Sequence, residues 1–146
     1  MSEPDPMDVP KVLECLNEAL ELQQRSVLQF TLASASMFGL DMQSLTGKLW
    51  EFAESELGDT RLVVEKICAL GGDPSVKAGT LRWHADPHEA VDNLIEHEDE
   101  AIAALHAVIP HSGQEPHSEA LEHLMEHLIM RKQNQVDWLR RARREP

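Results

Sequence analysis

An all-α protein of four long helices in one bundle is the fold that this 146-residue chain predicts. Three observations carry it. The long segments repeat their apolar residues at 3.6-residue spacing, and strand-like alternation is hard to find. Tyrosine is absent, Phe and Trp number three each, and Gly only seven. The segments are joined by a short, a long and a short connection, which places a long crossover between the second and third helices. The length suits one domain with a sizeable core.

Residues 1–7 read as a flexible acidic tail, and residues 8–146 as the single domain. Asp8 caps the first helix, and Pro10 sits in its first turn, where a missing N–H costs nothing. The inner face of this helix runs through Leu13, Leu16, Leu20, Gln23, Val27, Phe30 and Ser34, and Gly39 stops it. The second helix begins near Asp41 or Ser44 and reaches Leu70. Its stripe is Leu49, Ala53, Glu56, Thr60, Val63, Ile67 and Leu70, with Asp59 on the flank, and Gly71-Gly72-Asp73-Pro74 ends it. About sixteen residues, Gly71 to Asp86, then show no periodicity, which is long for a compact domain. Trp83 is expected to pack this connection down. Asp86 and Pro87 open the third helix, with Val91, Leu94, Ile95, Glu98, Ile102, Leu105 and Ile109 facing inward and Pro110 closing it. A short loop, His111 to His117, leads to a fourth helix from Ser118 to about Arg144, whose inner face carries Leu121, Leu124, Met125, Leu128 and Leu139.

Each apolar stripe is interrupted by polar residues at mid-length. The interruptions are Gln23, Glu56, Glu98 and, on the fourth helix, Lys132 with Gln135. On the third helix the phase leaves Glu96 as the other choice. A buried lysine is rarely tolerated without a partner. Interruptions at matching heights on all four helices predict one buried polar layer. In it, Lys132 supplies the positive charge for Glu56 and Glu98, while Gln23 and Gln135 fill the remaining hydrogen bonds.

Composition excludes several function classes. Formal charge is 13 − 26 = −13, which disfavours nucleic acid as a partner. Arg131, Lys132, Arg140, Arg141, Arg143 and Arg144 cluster at a helix C-terminus, where cations match the dipole. The N-terminus lacks the basic and apolar regions of a signal peptide, and no apolar run approaches membrane-spanning length. Cys15 and Cys68 stand alone on separate helices, which reads as reduced thiols and a cytoplasmic location. His123 and His127 are four apart beside Glu119 and Glu126, a spacing that can hold a metal on a helix face. Both point away from the Leu121 stripe, so a solvated surface pair is the expectation. Met37 and Met42 read as core or interface filler. No Ser-His-Asp order, phosphate-binding loop or Cys-His pair stands out.

Several stretches are similar to bacterioferritin, in the ferritin-like superfamily. Leu16-Asn17 with Gln29-Phe30 resembles its first helix. Glu56-x-x-Asp59, followed by Leu70-Gly71-Gly72-Asp73-Pro74, resembles the end of its second. Asp137-Trp138-Leu139 resembles a motif just after its last metal-binding histidine. The resemblance covers most of residues 13–140 and implies a ferritin-like four-helix bundle. The family's di-iron centre takes a Glu from each of two helices and a Glu-x-x-His from each of the others. At those positions this chain has Gln23, Glu56 with Asp59, Glu98, and Lys132 with Gln135. The residue after the second-helix Glu, a haem-ligating Met in bacterioferritin, is Leu57. The resemblance thus implies the fold, while the departures predict no cofactor and a non-enzymatic structural or interaction role. The alternative is a divergent iron-binding or iron-storage protein, with one metal held by Glu56, Asp59 and Glu98. Many-subunit shells of the family use a short fifth helix, and this chain stops at Pro146. The expectation is a homodimer through the first two helices, using Met37, Phe38, Leu49 or Trp50.

Overall fold

The structure, a computed structural model, describes residues 3–144. Four helices form: α1 over Val9–Ser36, α2 over Gln43–Ala69, α3 over Pro87–His106 and α4 over Pro116–Arg143. Single 3₁₀ turns, Leu40–Met42 and Ile109–His111, lie in the two short connections. The caps follow from side-chain chemistry. The Asp8 carboxylate accepts from Lys11 N at 3.2 Å, and that of Asp86 from His88 N at 3.4 Å, each satisfying an N–H that the helix leaves free. α2 ends at Ala69, and just beyond it Gly71 has a φ of 83°, the left-handed geometry that closes a helix; Gly72 N then reaches back to Ile67 O at 3.0 Å.

Polar side chains of α1 hold the crossover. Asn17 Nδ2 donates to Asp73 O and its Oδ1 accepts from Ser75 N, at 3.1 and 2.8 Å. Glu21 O accepts from Gly79 N at 3.0 Å, and Gln29 Nε2 donates to Arg82 O at 2.7 Å. Residue numbers rise together along both strands of this ladder. The crossover therefore climbs in the direction of α1 and delivers the chain to the far end of the bundle. α3 then runs antiparallel to α1, and α4 returns antiparallel to α3. Trp83, expected to pack the crossover down, is 60 % exposed; paired backbone groups do that work instead, because an irregular segment must satisfy its N–H and C=O groups somewhere.

Two further expectations change. α1 stops at Ser36, three residues before Gly39, and Met37 is already extended. The tail is docked along at least part of its length. Met7 is buried in the core, and Gln114 N donates to Asp5 O at 2.8 Å. Gly113, φ 79°, leaves room for that pass, since a Cβ there would meet Asp5 O at 2.7 Å. Residues 1 and 2 of the expected tail lie outside the described residues.

The core is split. One cluster, including Leu16, Leu20, Ile67, Leu105, Met125 and Leu128, fills the end near the tail. The other, including Phe30, Leu49, Phe52, Leu94 and Leu139, fills the end near the α1–α2 turn. Among the described residues no helix is long and apolar enough to cross a membrane.

Candidate functional site

Between the two apolar clusters lie the residues that interrupt the stripes. Gln23, Ser26, Glu56, Glu98, Lys132 and Gln135 are all buried. α1 contributes Gln23 and Ser26, three apart on one face. α2 contributes Glu56, α3 contributes Glu98, and α4 contributes Lys132 and Gln135 one turn apart. Glu96 is exposed, which resolves the phase of α3 in favour of Glu98.

Lys132 Nζ is the centre. It donates to Glu56 Oε2 and to Glu98 Oε2, each at 2.8 Å, with Ser26 Oγ at 3.4 Å. The Ser26 hydroxyl in turn donates to Leu22 O at 3.1 Å. Gln23 Nε2 donates to Glu56 Oε2 and, at 3.2 Å, to Glu56 O. Gln135 does not take the hydrogen-bonding part expected of it. Its Oε1 is buried without a partner, and so is Glu56 Oε1.

Charge in this layer depends on neighbours. Burial penalises the Lys132 ammonium, but the attraction and hydrogen bonds of Glu56 and Glu98 outweigh that penalty and hold its pKa above 10.5. Burial pushes the Glu56 carboxyl up, Lys132 pulls it down, and Glu98 pushes it up again, leaving it at about 7.

Asp59, one turn along α2 from Glu56, does not join the layer. Its carboxylate is bound by Arg131 through Nε at 3.2 Å and through Nη2. Burial raises its pKa, and Arg131 counters only part of that. His127 Nε2 lies 2.9 Å from Arg131 Nη1, and His123 Nδ1 lies 3.9 Å from Glu126 Oε2. The two histidines thus turn to different neighbours. Among the described residues no group of three or more His, Cys, Asp or Glu converges on a point where a metal would sit.

Sequence reasoning missed Ser26, Arg131 and Arg25. Ser26 lies three residues beyond Gln23 on the same face, so helical spacing could have found it. Arg131 reads as one of a basic run, and nothing in the sequence pairs it with Asp59. Arg25 is buried between α1 and α3, where Nη2 donates to His97 O at 3.1 Å and to Glu100 Oε2 at 2.8 Å.

In chemical terms, the layer is a set of fixed charges and amides. Its central group is an ammonium, which has three donors and no lone pair. It can hold four helices in one register and can exchange protons.

The comparisons with known proteins agree on the architecture. The ferritin-like domain model matches residues 13–145. No curated protein matches. Among solved structures, a ferritin-like, diiron-carboxylate protein from Bacillus anthracis superposes with a TM-score of 0.84 at 22% identity, covering 99% of this chain and 100% of that one. Rhodobacter capsulatus bacterioferritin, described with a metal-free dinuclear site and haem iron, gives 0.83 at 22% identity, covering 92% and 84%. At that identity the likeness is one of fold.

Proposed function

The chain belongs to the ferritin-like domain family, and we propose that it is a member whose di-iron centre is replaced by a buried lysine–carboxylate network, with a structural or interaction role and no catalysis. The observation that carries this reading is Lys132 Nζ at 2.8 Å from both Glu56 and Glu98. A di-iron site holds carboxylates together with positive charge. Here an ammonium supplies that charge, and it repels a cation while offering no donor pair. The remaining donor set is also unsuited. Asp59 faces Arg131, and the network offers no imidazole, the neutral donor that such iron sites use beside carboxylates. The one-metal alternative with Glu56, Asp59 and Glu98 loses Asp59 for the same reason.

The test is elemental analysis after anaerobic Fe²⁺ loading of protein purified without a nickel column, together with an assay for oxygen-dependent Fe²⁺ oxidation. Background iron and no catalysed oxidation are expected. About two irons per chain, as di-iron bundles hold, would overturn the reading.

We further propose a homodimer through α1 and α2. α1 exposes Leu28 and Leu32, one turn apart. α2 exposes Trp50 and Leu57, two turns apart. Exposed apolar side chains of this kind are what a two-fold mate can cover. Of the residues expected at this contact, Leu49 is fully buried, while Phe38 and Trp50 are exposed. Light scattering should give twice the chain mass, and a monomer or a cage-sized particle would contradict it.

A further inference from the structure

Buried charges are stable only when they are matched, and the central layer is not. The groups facing Glu56 can be counted helix by helix. α1 brings Gln23 and Ser26, both uncharged. α2 brings Asp59, which Arg131 of α4 matches. α3 brings Glu98, and α4 brings Lys132 and Gln135. One ammonium therefore faces two carboxylates, and the layer is one positive charge short.

A second observation locates the deficit. Gln23 Nε2 and Lys132 Nζ both donate to the same oxygen, Glu56 Oε2. The other oxygen, Oε1, is buried with no donor at all. A carboxylate distributes its donors over two equivalent oxygens, whereas a carboxyl group has one accepting oxygen and one that carries hydrogen. A hydrogen on Oε1 would therefore displace no donor, whereas Oε2 already accepts from two.

We infer that Glu56 is a proton-binding site of the folded chain, its Oε1 carrying the hydrogen that makes the buried layer neutral. The inference rests on the metal-free reading above, since a resident metal ion would supply the missing charge instead. Its electrostatic surroundings agree. Burial first, then Glu98 and Asp59, raise the Glu56 pKa against the pull of Lys132, to about 7. The sign follows. The folded-state value lies above the unfolded one, so the stability this proton provides is complete below the ordinary carboxylate range and is lost as pH rises through about 7. Glu56 thereby couples the bundle to the acidity of its surroundings. Folding takes up a proton in weak acid and does not in alkali.

The experiment unfolds chelator-treated full-length protein with urea at about pH 6 in weakly buffered solution containing an indicator, with the metal content of the same sample measured. Wild type should release about one proton per chain more than Glu56→Gln, because the unfolded Glu ionises and the amide cannot. The infrared carbonyl band of a buried carboxylic acid should be present in folded wild type and missing from Glu56→Gln. Glutamine has the shape of the protonated group, so this variant should fold. Equal proton release from the two proteins, or a loss in Glu98→Gln but not in Glu56→Gln, would overturn the assignment. A metal-free sample with that result would sink the proton site alone. Metal retained at the layer after chelation would sink the metal-free reading and the proton site together.

Discussion

Two ion clusters bridge α2 and α4 about one helical turn apart, and they live in different solvents. Lys132 with Glu56 and Glu98 is sealed, its side chains 1 % exposed or less. Arg131 with Asp59 is open on one side, the arginine being 33 % exposed. Both contacts are short and charged. In the open cluster, water can solvate an arginine that loses its partner. In the sealed one, every charge depends on the others, because only the neutral Gln23 and Ser26 are otherwise within reach. The same type of contact is therefore a local fastening in one place and a condition for the whole fold in the other.

The largest break in this comparison is Lys132→Met, which conserves much of the volume and removes the charge. The buried carboxyl groups of Glu56 and Glu98 then face each other with no cation between them. Removing one partner of a buried ion pair typically costs about 3–5 kcal/mol, and the urea midpoint at neutral pH should fall accordingly. Arg131→Ala should cost less, about 1–3 kcal/mol, the range for a buried group that loses charged hydrogen bonds, because Asp59 can recruit water through the vacated space. A drop as large as that of Lys132→Met would erase the distinction between the clusters. Gln29→Ala comes next. It removes both hydrogen bonds to Arg82 at the top of the crossover, at roughly 1 kcal/mol each before water replaces them at this exposed segment. Hydrogen exchange should quicken around residues 79–84 and stay unchanged in the central layer. The smallest effect belongs to Asp99→Asn. Its partner Arg140 is 58 % exposed, so the midpoint should move by no more than about 1 kcal/mol.

Much of this was legible in the sequence because it is written along single helices. The caps Asp8 and Asp86, the break at Gly71 and the interruptions at Gln23, Glu56, Glu98 and Lys132 each follow from spacing within one segment, and matching heights then point to one layer. What was not legible depends on how two helices are rotated against each other. Asp59 sits on the flank of its stripe, and only the approach of α2 and α4 places Arg131 against it. Gln135 occupies the expected layer, yet nothing in its spacing tells whether a donor stands opposite. Gly39 reads as a helix stop, but the chain leaves helical geometry at Met37, and the glycine, φ 102°, instead precedes the next turn. The acidic composition of residues 1–7 hides Met7, whose burial is decided by a distant loop. Trp83 suggests an apolar anchor, while the crossover is secured by Asn17, Glu21 and Gln29.

The central claim is that the charge of Lys132 holds Glu56 and Glu98 together inside the bundle. The most direct test is the urea midpoint of Lys132→Met followed from weak acid to mild alkali, beside wild type and beside the variant that adds Glu56→Gln and Glu98→Gln. Without the ammonium the Glu56 carboxyl, already raised by burial and by Glu98, loses the group that pulls its pKa down and keeps its proton more firmly in the folded state. The folded variant then binds more protons than the unfolded chain and loses stability as pH rises. The account predicts that Lys132→Met lies close to wild type in weak acid, falls well below it at neutral to alkaline pH, and recovers much of the loss once both carboxylates are amides. A Lys132→Met midpoint equal to that of wild type at every pH would contradict it.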